Sequence, residues 1–439
     1  MVAAMQHFFV VGPSTLCTMK RKATGTAKIA LALAGGGPLG AIYEIGALCA
    51  LEDSLIGLDF TRLDHYVGVS AGGFIAASLA NGISPHELCA SFIESDNANP
   101  HESPDRFDPS WLMVPAYSEF ARRSIMLPGL LMSAMWRLTM GDKSFAHALE
   151  RLGAGLPTGI FSNDQIDAQL TKLFSRPGRT NDFRKLKTKL TLVATDLDSG
   201  ESAPFGRPGF EHVPISQAVQ ASAALPGLFP PVEIDERYYV DGALKKTLHA
   251  SVAMEEGIDL MLCLNPLVPF DATAPQVAKV MQRGLLSERR AIPRIVDGGL
   301  PAVLSQTFRS MIHSRMALGM KQYEHAYPNT DIILIEPDHR DIELYLANSF
   351  SYAQRRHLAE HAYQQTREML RSNQNRISVK LARHGIRLDH NALGDPKRHL
   401  TRPAQAVTRV GQAIGRLQVL MDDLGHVVNL AARPALVMA

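Results

Sequence analysis

The segment KIALALAGGGPLGAIYEIGALCALE, residues 28–52, joins a short apolar run to a glycine-rich turn and then to a helical pattern. The same succession recurs in HYVGVSAGGFIAASLANG, residues 65–82. Strand, glycine turn and helix in repeated order are typical of a parallel sheet whose strands are joined by crossover helices. Two more apolar runs, Leu260–Leu264 and Asp331–Ile335, are predicted strands. The sequence therefore predicts an α/β fold with a mostly parallel central sheet and helices on both faces.

Changes in composition along the chain predict three parts. Residues 1–27 form an N-terminal extension, of which residues 1–18 are either a poorly ordered segment or a start assigned too early. Residues 28–337 form the α/β domain, with a helical insertion over about 84–159 that is rich in Pro, Met and aromatic residues. Residues 338–439 form a helical and basic C-terminal extension.

The composition excludes several classes of protein. Hydrophobic residues make up 46% of the 439 positions and charged residues 20%, so the chain can bury a large core and is not intrinsically disordered. Its 45 Lys and Arg against 43 Asp and Glu exclude a globally basic nucleic-acid binder. The four cysteines form no CxxC pair, and no uninterrupted apolar run reaches the ~20 residues that a bilayer requires. We expect a cytoplasmic protein without a metal or a cofactor.

Charge and apolar bulk are concentrated in two regions. From Arg371 to the end, 11 basic and 4 acidic residues give a net charge of +7, which leaves −5 for the rest of the chain. Such a tail suits an anionic membrane surface or another chain, or it is an ordinary solvated face. Residues 110–140 combine apolar and aromatic side chains with arginines, as interfacial helices do, or they form an ordinary cap. We expect peripheral membrane contact through both regions.

The C-terminal part of the chain, from about residue 351, is predicted to be helical throughout. Within it, residues 407–431 carry apolar side chains at alternating intervals of three and four, the pattern of a coiled-coil seam. This helix either packs on the body of the protein or pairs with a second copy of the chain in a homo-oligomer.

A candidate nucleophile lies in the pattern G-x-S-x-G, formed by Gly68, Val69, Ser70, Ala71 and Gly72 between a predicted strand and a predicted helix. A serine on such a sharp turn projects its hydroxyl above the sheet, and the flanking glycines relieve crowding. The N-terminus of the helix favours negative charge that develops there. The pattern predicts a nucleophilic Ser70, and the alternative is a glycine-rich turn that only packs strand on helix.

A second glycine-rich turn, GGGPLG at residues 35–40, follows the first predicted strand. Its letters satisfy the dinucleotide fingerprint G-x-G-x-x-G, but Asp59, about 20 residues farther on, precedes the second strand instead of ending it. Two other interpretations of this turn are an oxyanion hole made of backbone N–H groups and a tight turn with only a structural role. Because proline has no N–H, donors to an oxyanion would come from Gly36, Gly37 or Leu39.

A candidate base, Asp241, begins the run Asp241-Gly242-Ala243 after a strand-like stretch, residues 237–240. Ligands gather at the carboxyl ends of strands in open α/β sheets, so we expect Asp241 to share a sheet edge with Ser70. The alternative is a structural turn, since Asp-Gly is a common turn dipeptide. An ordinary aspartate has a pKa near ~3.9, so a dry site would have to raise that pKa before Asp241 could act as a base.

Together these elements resemble the patatin-like phospholipase family. GGGPLG, GVSAG and DGA occur in the family's order and at roughly its spacing, with further support from ATDLDSGE (residues 194–201) and ASAALPGLFPPV (residues 221–232). The resemblance spans residues 28–337, about 70% of the chain. It implies a patatin-like catalytic domain and a lipid acyl hydrolase of the phospholipase A or esterase type.

The resemblance also implies a role for each motif residue. Ser70 would be the nucleophile and Asp241 its only partner, in a dyad that works without histidine and through an acyl-enzyme. The family usually has Arg or Lys where this chain has Leu39, so a positive charge near the oxyanion is lost. The oxyanion hole would be formed by Gly35, Gly36 and Gly37, and the remaining motif positions are Gly40, Gly68, Gly72, Gly242 and Ala243.

Three other functions are consistent with the sequence. An oxidoreductase would bind a nucleotide at residues 35–40. A catalytically weak lipid-binding protein would keep the same fold but hydrolyse esters slowly. A conventional Ser-Asp-His esterase would need a histidine base. The candidate bases are His249, His313, His325, His339 and His357.

Overall fold

A computed structural model of the chain describes residues 27–94, 157–271, 273, 295–346 and 354–401, together with part of 114–132. The predicted N-terminal extension up to residue 26, most of the predicted insertion and the predicted seam at 407–431 lie outside the described residues. The strands of the described part are β1 (Ile29–Leu33), β2 (Leu55–Ile56), β3 (His65–Gly68), β4 (Lys189–Asp196), β5 (Ser202–Phe205), β6 (Val232–Ile234), β7 (Arg237–Asp241), β8 (Leu260–Leu264), β9 (Asp331–Ile335) and β10 (Arg387–Leu388).

Helices connect and cover these strands. They are α1 (Gly37–Ser54), α2 (Ala71–Ala80), α3 (Pro85–Phe92), α4 (Asp164–Phe174), α5 (Ile215–Ser222), α6 (Ser251–Met254), α7 (Gly299–Ala326), α8 (Ile342–Leu346), α9 (Arg355–Ser372), α10 (Gln374–Ala382) and α11 (His390–Gly394). Short 3₁₀ helices occur at Phe183–Lys185, Gly242–Leu244 and Ile295–Gly298. Among the described residues, no helix combines the length and the apolar character needed to cross a membrane.

The described residues contain an eight-stranded sheet in which neighbours follow the order β6–β7–β4–β3–β1–β8–β9, with β5 also paired to β4. The pairs β4–β3, β3–β1, β1–β8 and β8–β9 are parallel, whereas β5, β6 and β7 are antiparallel to their partners. The predicted mostly parallel sheet is therefore confirmed. The strands expected at Leu260–Leu264 and Asp331–Ile335 form with those bounds.

Helices on both faces of the sheet are confirmed by the way β1 buries its side chains. Leu31 and Leu33 belong to one hydrophobic cluster, which includes α1, α2 and α9. Ala30, Ala32 and Ala34 belong to a second cluster on the other face, which includes residues of α6 and α7. Since successive strand residues point to opposite faces, an apolar run without alternation marks a strand covered on both sides.

The described part of the C-terminal extension packs into the same core as α1. The backbone of Ala359 in α9 lies so close to Gly46 of α1 that a Cβ at Gly46 would overlap it. After α10 the chain forms β10, which pairs antiparallel with β2. The expectation that this region is helical throughout is therefore wrong at β10, where Arg387 and Leu388 pair with β2 in a second, two-stranded sheet.

Several basic residues of the tail pair with groups of the body. Arg383 Nη1 lies 2.9 Å from Asp331 Oδ1, and Arg398 Nε lies 3.1 Å from Asp53 Oδ2. Lys380 Nζ donates to the carbonyl oxygen of Ile332 at 2.8 Å. Part of the net positive charge of the tail is thus balanced by the acidic body of the same chain, an arrangement that the charge count alone did not predict.

Candidate active site

Ser70 occupies a strained turn between β3 and α2. Its backbone has φ 53° and ψ −124°, a conformation that a non-glycine residue adopts only where the surrounding structure enforces it. A Cβ at Gly72 would lie 2.7 Å from the backbone carbon of Leu33, so only glycine lets α2 approach β1. The G-x-S-x-G pattern therefore encodes close packing around the serine, which both interpretations of this turn expect.

A buried serine from another helix holds this turn in place. The N–H of Ser70 donates to Ser222 Oγ at 2.8 Å, and Ser222 Oγ donates to the carbonyl oxygen of Val193 at 2.6 Å. Ser222 ends α5 and thereby ties the serine turn to β4. The sequence analysis missed it; its signal is a serine inside the apolar run ASAALPG, residues 221–227.

Asp241 ends β7, and the register on β4 brings it to Ser70. β3 pairs with β4 up to Leu192, and antiparallel β7 pairs with β4 back to Ala194. The two carboxyl ends therefore meet at adjacent positions of β4. Asp241 and Ser70 share this edge although β7 runs against β4, because β3 and β7 end at neighbouring positions along β4.

The carboxyl group of Asp241 lies in a dry and hydrogen-bonded position. Its Oδ1 accepts the N–H of Ala243 at 2.8 Å, and the side chain of Ser70 interacts with the carboxyl group and lowers its pKa. The Asp241 N–H donates to the carbonyl oxygen of Ala224 at 3.0 Å. Asp241 is 2% exposed and Ser70 is 7% exposed, so the structure brings the two predicted residues together below the surface.

Burial changes the acid–base character of Asp241. It raises the pKa of this carboxyl from the ordinary 3.8 to about 6, against the opposite effect of the hydrogen bonds from Ala243 and Ser70. A carboxylate with this pKa is mainly ionised at neutral pH and is a stronger base than an ordinary aspartate. The geometry thus supplies the dryness that the sequence analysis required.

The glycine turn passes directly beside Ser70. A Cβ at Gly35 would lie 2.9 Å from Ser70 Cβ and 3.5 Å from its Oγ. Gly36 packs against Pro266 after β8, where a Cβ would come within 2.7 Å of the proline ring. Helix α1 begins at Gly37, so the N–H groups of its first turn, which no helical hydrogen bond uses, follow Gly35 closely in the chain.

Leu39 has a structural role at the position where the family usually has a basic residue. Its side chain is 5% exposed and belongs to the hydrophobic cluster under α1.

The dinucleotide interpretation of the same turn gains no support from Asp59. That carboxylate accepts the N–H and the hydroxyl of Thr61 in the loop before β3, as a local turn does.

The candidate histidine bases lie elsewhere. His249 is buried, with Nε2 3.3 Å from the carbonyl oxygen of Gly242, and burial lowers its pKa to about 4. His339 Nδ1 lies 3.1 Å from the carbonyl oxygen of Pro269, and His357 lies 3.1 Å from Glu343. Within the described ranges, the hydrogen bonds of Ser70 and Asp241 involve none of the five candidate histidines.

Glu44 is a second residue that the sequence analysis missed. It lies one turn after Gly40 on α1 and is fully buried. Burial raises the pKa of this carboxyl well above the ordinary 4.5. The signal in the sequence is one acidic residue within the otherwise apolar stretch AIYEIGALCAL, residues 41–51.

Comparisons with known proteins add information on relatives. A family model described as patatin-like phospholipase matches residues 31–254, just over half of the chain. The probable lipid hydrolase 463L of Invertebrate iridescent virus 6 is 20% identical over 222 residues, covering 50% of this chain and 61% of that protein. The chain therefore spans less than two thirds of the length of this relative.

Two solved structures are also similar. VipD from Legionella pneumophila has 18% sequence identity and a TM-score of 0.35, covering 79% of this chain and 67% of VipD. The type III effector protein ExoU has 14% identity and a TM-score of 0.34, covering 79% of this chain and 53% of ExoU. Similarity at these TM-scores carries no argument about the site.

Proposed function

This chain belongs to the patatin-like phospholipase family, and from that premise we propose that it is a lipid acyl hydrolase in which Ser70 and Asp241 cleave carboxylic esters. One observation carries the proposal. A serine in a strained turn between strand and helix interacts with a buried aspartate whose pKa burial raises to about 6. This arrangement suits nucleophilic catalysis with a carboxylate as the base.

The first half of the reaction forms an acyl-enzyme. The carboxylate of Asp241 accepts the proton of the Ser70 hydroxyl as Oγ attacks the ester carbonyl carbon, and the carbonyl electron pair moves to oxygen. When the tetrahedral intermediate collapses, the bond to the alcohol oxygen breaks. Asp241 returns its proton to the leaving alcohol, and the acyl group stays on Ser70.

The second half regenerates the enzyme. Asp241 removes a proton from water as the water oxygen attacks the acyl carbon. The bond to Ser70 Oγ then breaks, Oγ takes the proton from Asp241, and the carboxylic acid leaves. The same carboxylate thus acts as base and acid in turn, for which a pKa near the working pH is favourable.

Backbone N–H groups of the glycine turn would stabilise the oxyanion in both halves. Gly35 lies beside Ser70, and Gly36 and Gly37 lead from it into the N-terminus of α1. Donors held by a helix N-terminus cost no reorganisation during the reaction, and losing one typically costs ~10²–10³ in rate. Because Leu39 is part of the core, the stabilisation would come from the backbone without a nearby cation.

The proposal is tested by covalent labelling and by a hydrolysis panel. A fluorophosphonate probe should label the wild type and fail to label Ser70→Ala, and the wild type should hydrolyse phospholipids, glycerides or p-nitrophenyl esters. Asp241→Asn should stay folded and lose about 10²–10⁴ in rate. His249→Gln is the matched control, because the hydrogen bond of His249 goes to the carbonyl oxygen of Gly242, next to Asp241 in the chain. If His249→Gln lost as much rate as Asp241→Asn while folded, a conventional triad would replace the dyad.

Membrane contact and self-association are part of the same proposal. Among the described residues of the segment 110–140, Tyr117, Ile125 and Met132 are exposed apolar side chains, which favours contact with lipid.

A homo-oligomer through residues 407–431 stays a prediction. Removing residues 402–439, which follow the packed C-terminal helices, should lower the mass measured by light scattering if that helix joins two chains.

A further inference from the structure

We propose that the outer face of α7 is the surface through which this protein rests on an anionic lipid layer. The proposal rests on the proposed function, because it places a lipid surface next to the site that would use it. We define the α7 face by its exposed apolar side chains, Leu300, Leu304, Phe308, Met311 and Leu318.

Burial along α7 separates an inner face from an outer one. Met316 on the inner side is buried among residues of the second hydrophobic cluster. On the outer side Leu300 is 70% exposed, Leu304 47% and Leu318 67%. The intervals from residue 304 to residues 308, 311 and 318 place these side chains on one stripe of the helix. An apolar stripe on an outer helix face marks a surface that binds an apolar partner.

Two hydrogen bonds place α7 beside the turn that follows Asp241. Arg315 Nη1 donates to the carbonyl oxygen of Leu244 at 2.8 Å, three residues after Asp241. Thr247 Oγ1 donates to the carbonyl oxygen of Ile312 at 3.4 Å. The helix therefore packs on the turn that follows the proposed base.

The charge on α7 selects the kind of partner. The helix carries no carboxylate before Glu324, whereas Arg309, Arg315 and Lys321 are basic. Arg315 and Lys321 are exposed beside the apolar stripe. Apolar side chains with a basic rim fit the boundary between acyl chains and anionic headgroups. A lipid surface satisfies both features at once, so we assign the α7 face to it.

Vesicle binding by the full chain tests this assignment. The variant Leu300→Gln/Leu304→Gln/Leu318→Gln should bind vesicles of phosphatidylcholine and phosphatidylglycerol at least about tenfold more weakly than the wild type. The matched control is Ile56→Gln/Val379→Gln, which removes exposed apolar side chains from β2 and α10. This control should bind as the wild type does.

A second variant tests the same proposal if the triple variant folds poorly. Lys321→Glu leaves the apolar stripe intact, and it should weaken binding several-fold at low salt and less at high salt. Equal vesicle binding by Lys321→Glu, by the folded triple variant and by the wild type would overturn the proposal. The proposal would also be overturned if the triple variant lost thermal stability but kept its vesicle binding. That result would show that another part of the chain covers the α7 face. A fall in the mass measured by light scattering, with vesicle binding unchanged, would show that a second copy covers it.

The readouts separate this surface from the proposed chemistry. Labelling of Ser70 by a fluorophosphonate and hydrolysis of a soluble p-nitrophenyl ester should stay within about twofold of wild type in the triple variant, because the dyad is untouched. Loss of vesicle binding with labelling intact supports the proposal. If the wild type neither labels nor hydrolyses but its vesicle binding still depends on the α7 face, the proposed function fails and the surface assignment stands.

Discussion

Replacing Asp241 with asparagine should stabilise this protein at high pH while it removes the proposed base. Burial raises the pKa of Asp241 to about 6 from the ordinary 3.8. Between these values the folded protein keeps a proton that the unfolded chain has lost. A difference of about two pH units in pKa corresponds to about 3 kcal/mol in the free energy of unfolding.

The sign of this effect follows from the raised pKa. The contribution of Asp241 to stability is fully present below the pKa of the unfolded chain and is lost as the pH rises through about 6. Asparagine has no charge to bury, and its oxygen can still accept the N–H of Ala243. The free energy of unfolding of Asp241→Asn, relative to wild type, should increase by about 1.5 kcal/mol between pH 5 and pH 8, about half of the full effect.

Urea unfolding at pH 5 and pH 8 measures this difference, and Asp196→Asn is the control of opposite sign. Asp196 accepts the N–H groups of Ser199 and Asp198, each at 3.0 Å, and the Ser199 hydrogen bond lowers its pKa. Its contribution is therefore present at high pH, so Asp196→Asn should destabilise the protein at pH 8. If Asp241→Asn gained no stability relative to wild type between pH 5 and pH 8, the buried, charged state of Asp241 would be refuted.

Three further predictions concern the same end of the sheet. For a soluble ester, kcat/KM should rise with pH through about 6 as Asp241 ionises, and a flat profile between pH 5 and pH 7 would contradict its role as base. Gly35→Ala should lower kcat by at least about tenfold, because its Cβ would lie 2.9 Å from Ser70 Cβ, whereas Gly319→Ala in open space should leave kcat unchanged. Relative to wild type, the stability of Glu44→Gln should rise from pH 4 to pH 8, since burial raises the pKa of Glu44. Thermal melts at both pH values measure this, and a difference in melting temperature between variant and wild type that stays the same at both would contradict it.

The sequence predicted the local parts of the site because their geometry depends on neighbouring residues. The turn at Ser70 needs small residues at Gly68 and Gly72, where α2 packs against β3 and β1. The turn at Gly35 needs glycine for the same reason, its closeness to Ser70. Such requirements leave a recognisable pattern within a few letters. Ser222 left no comparable pattern, because its hydrogen bonds join residues far apart in the chain.

By itself, then, the sequence determined the succession of strands and helices, the parallel core of the sheet and the identity of Ser70 and Asp241 as candidates. Only the tertiary structure decided that β7 runs antiparallel, that Asp241 is buried, and that basic residues of the tail pair with acidic groups of the body. It also decided which face of α7 is exposed. The physical reason is that strand direction, desolvation and charge pairing depend on residues tens to hundreds of positions apart, whereas a turn or a helix depends on its nearest neighbours.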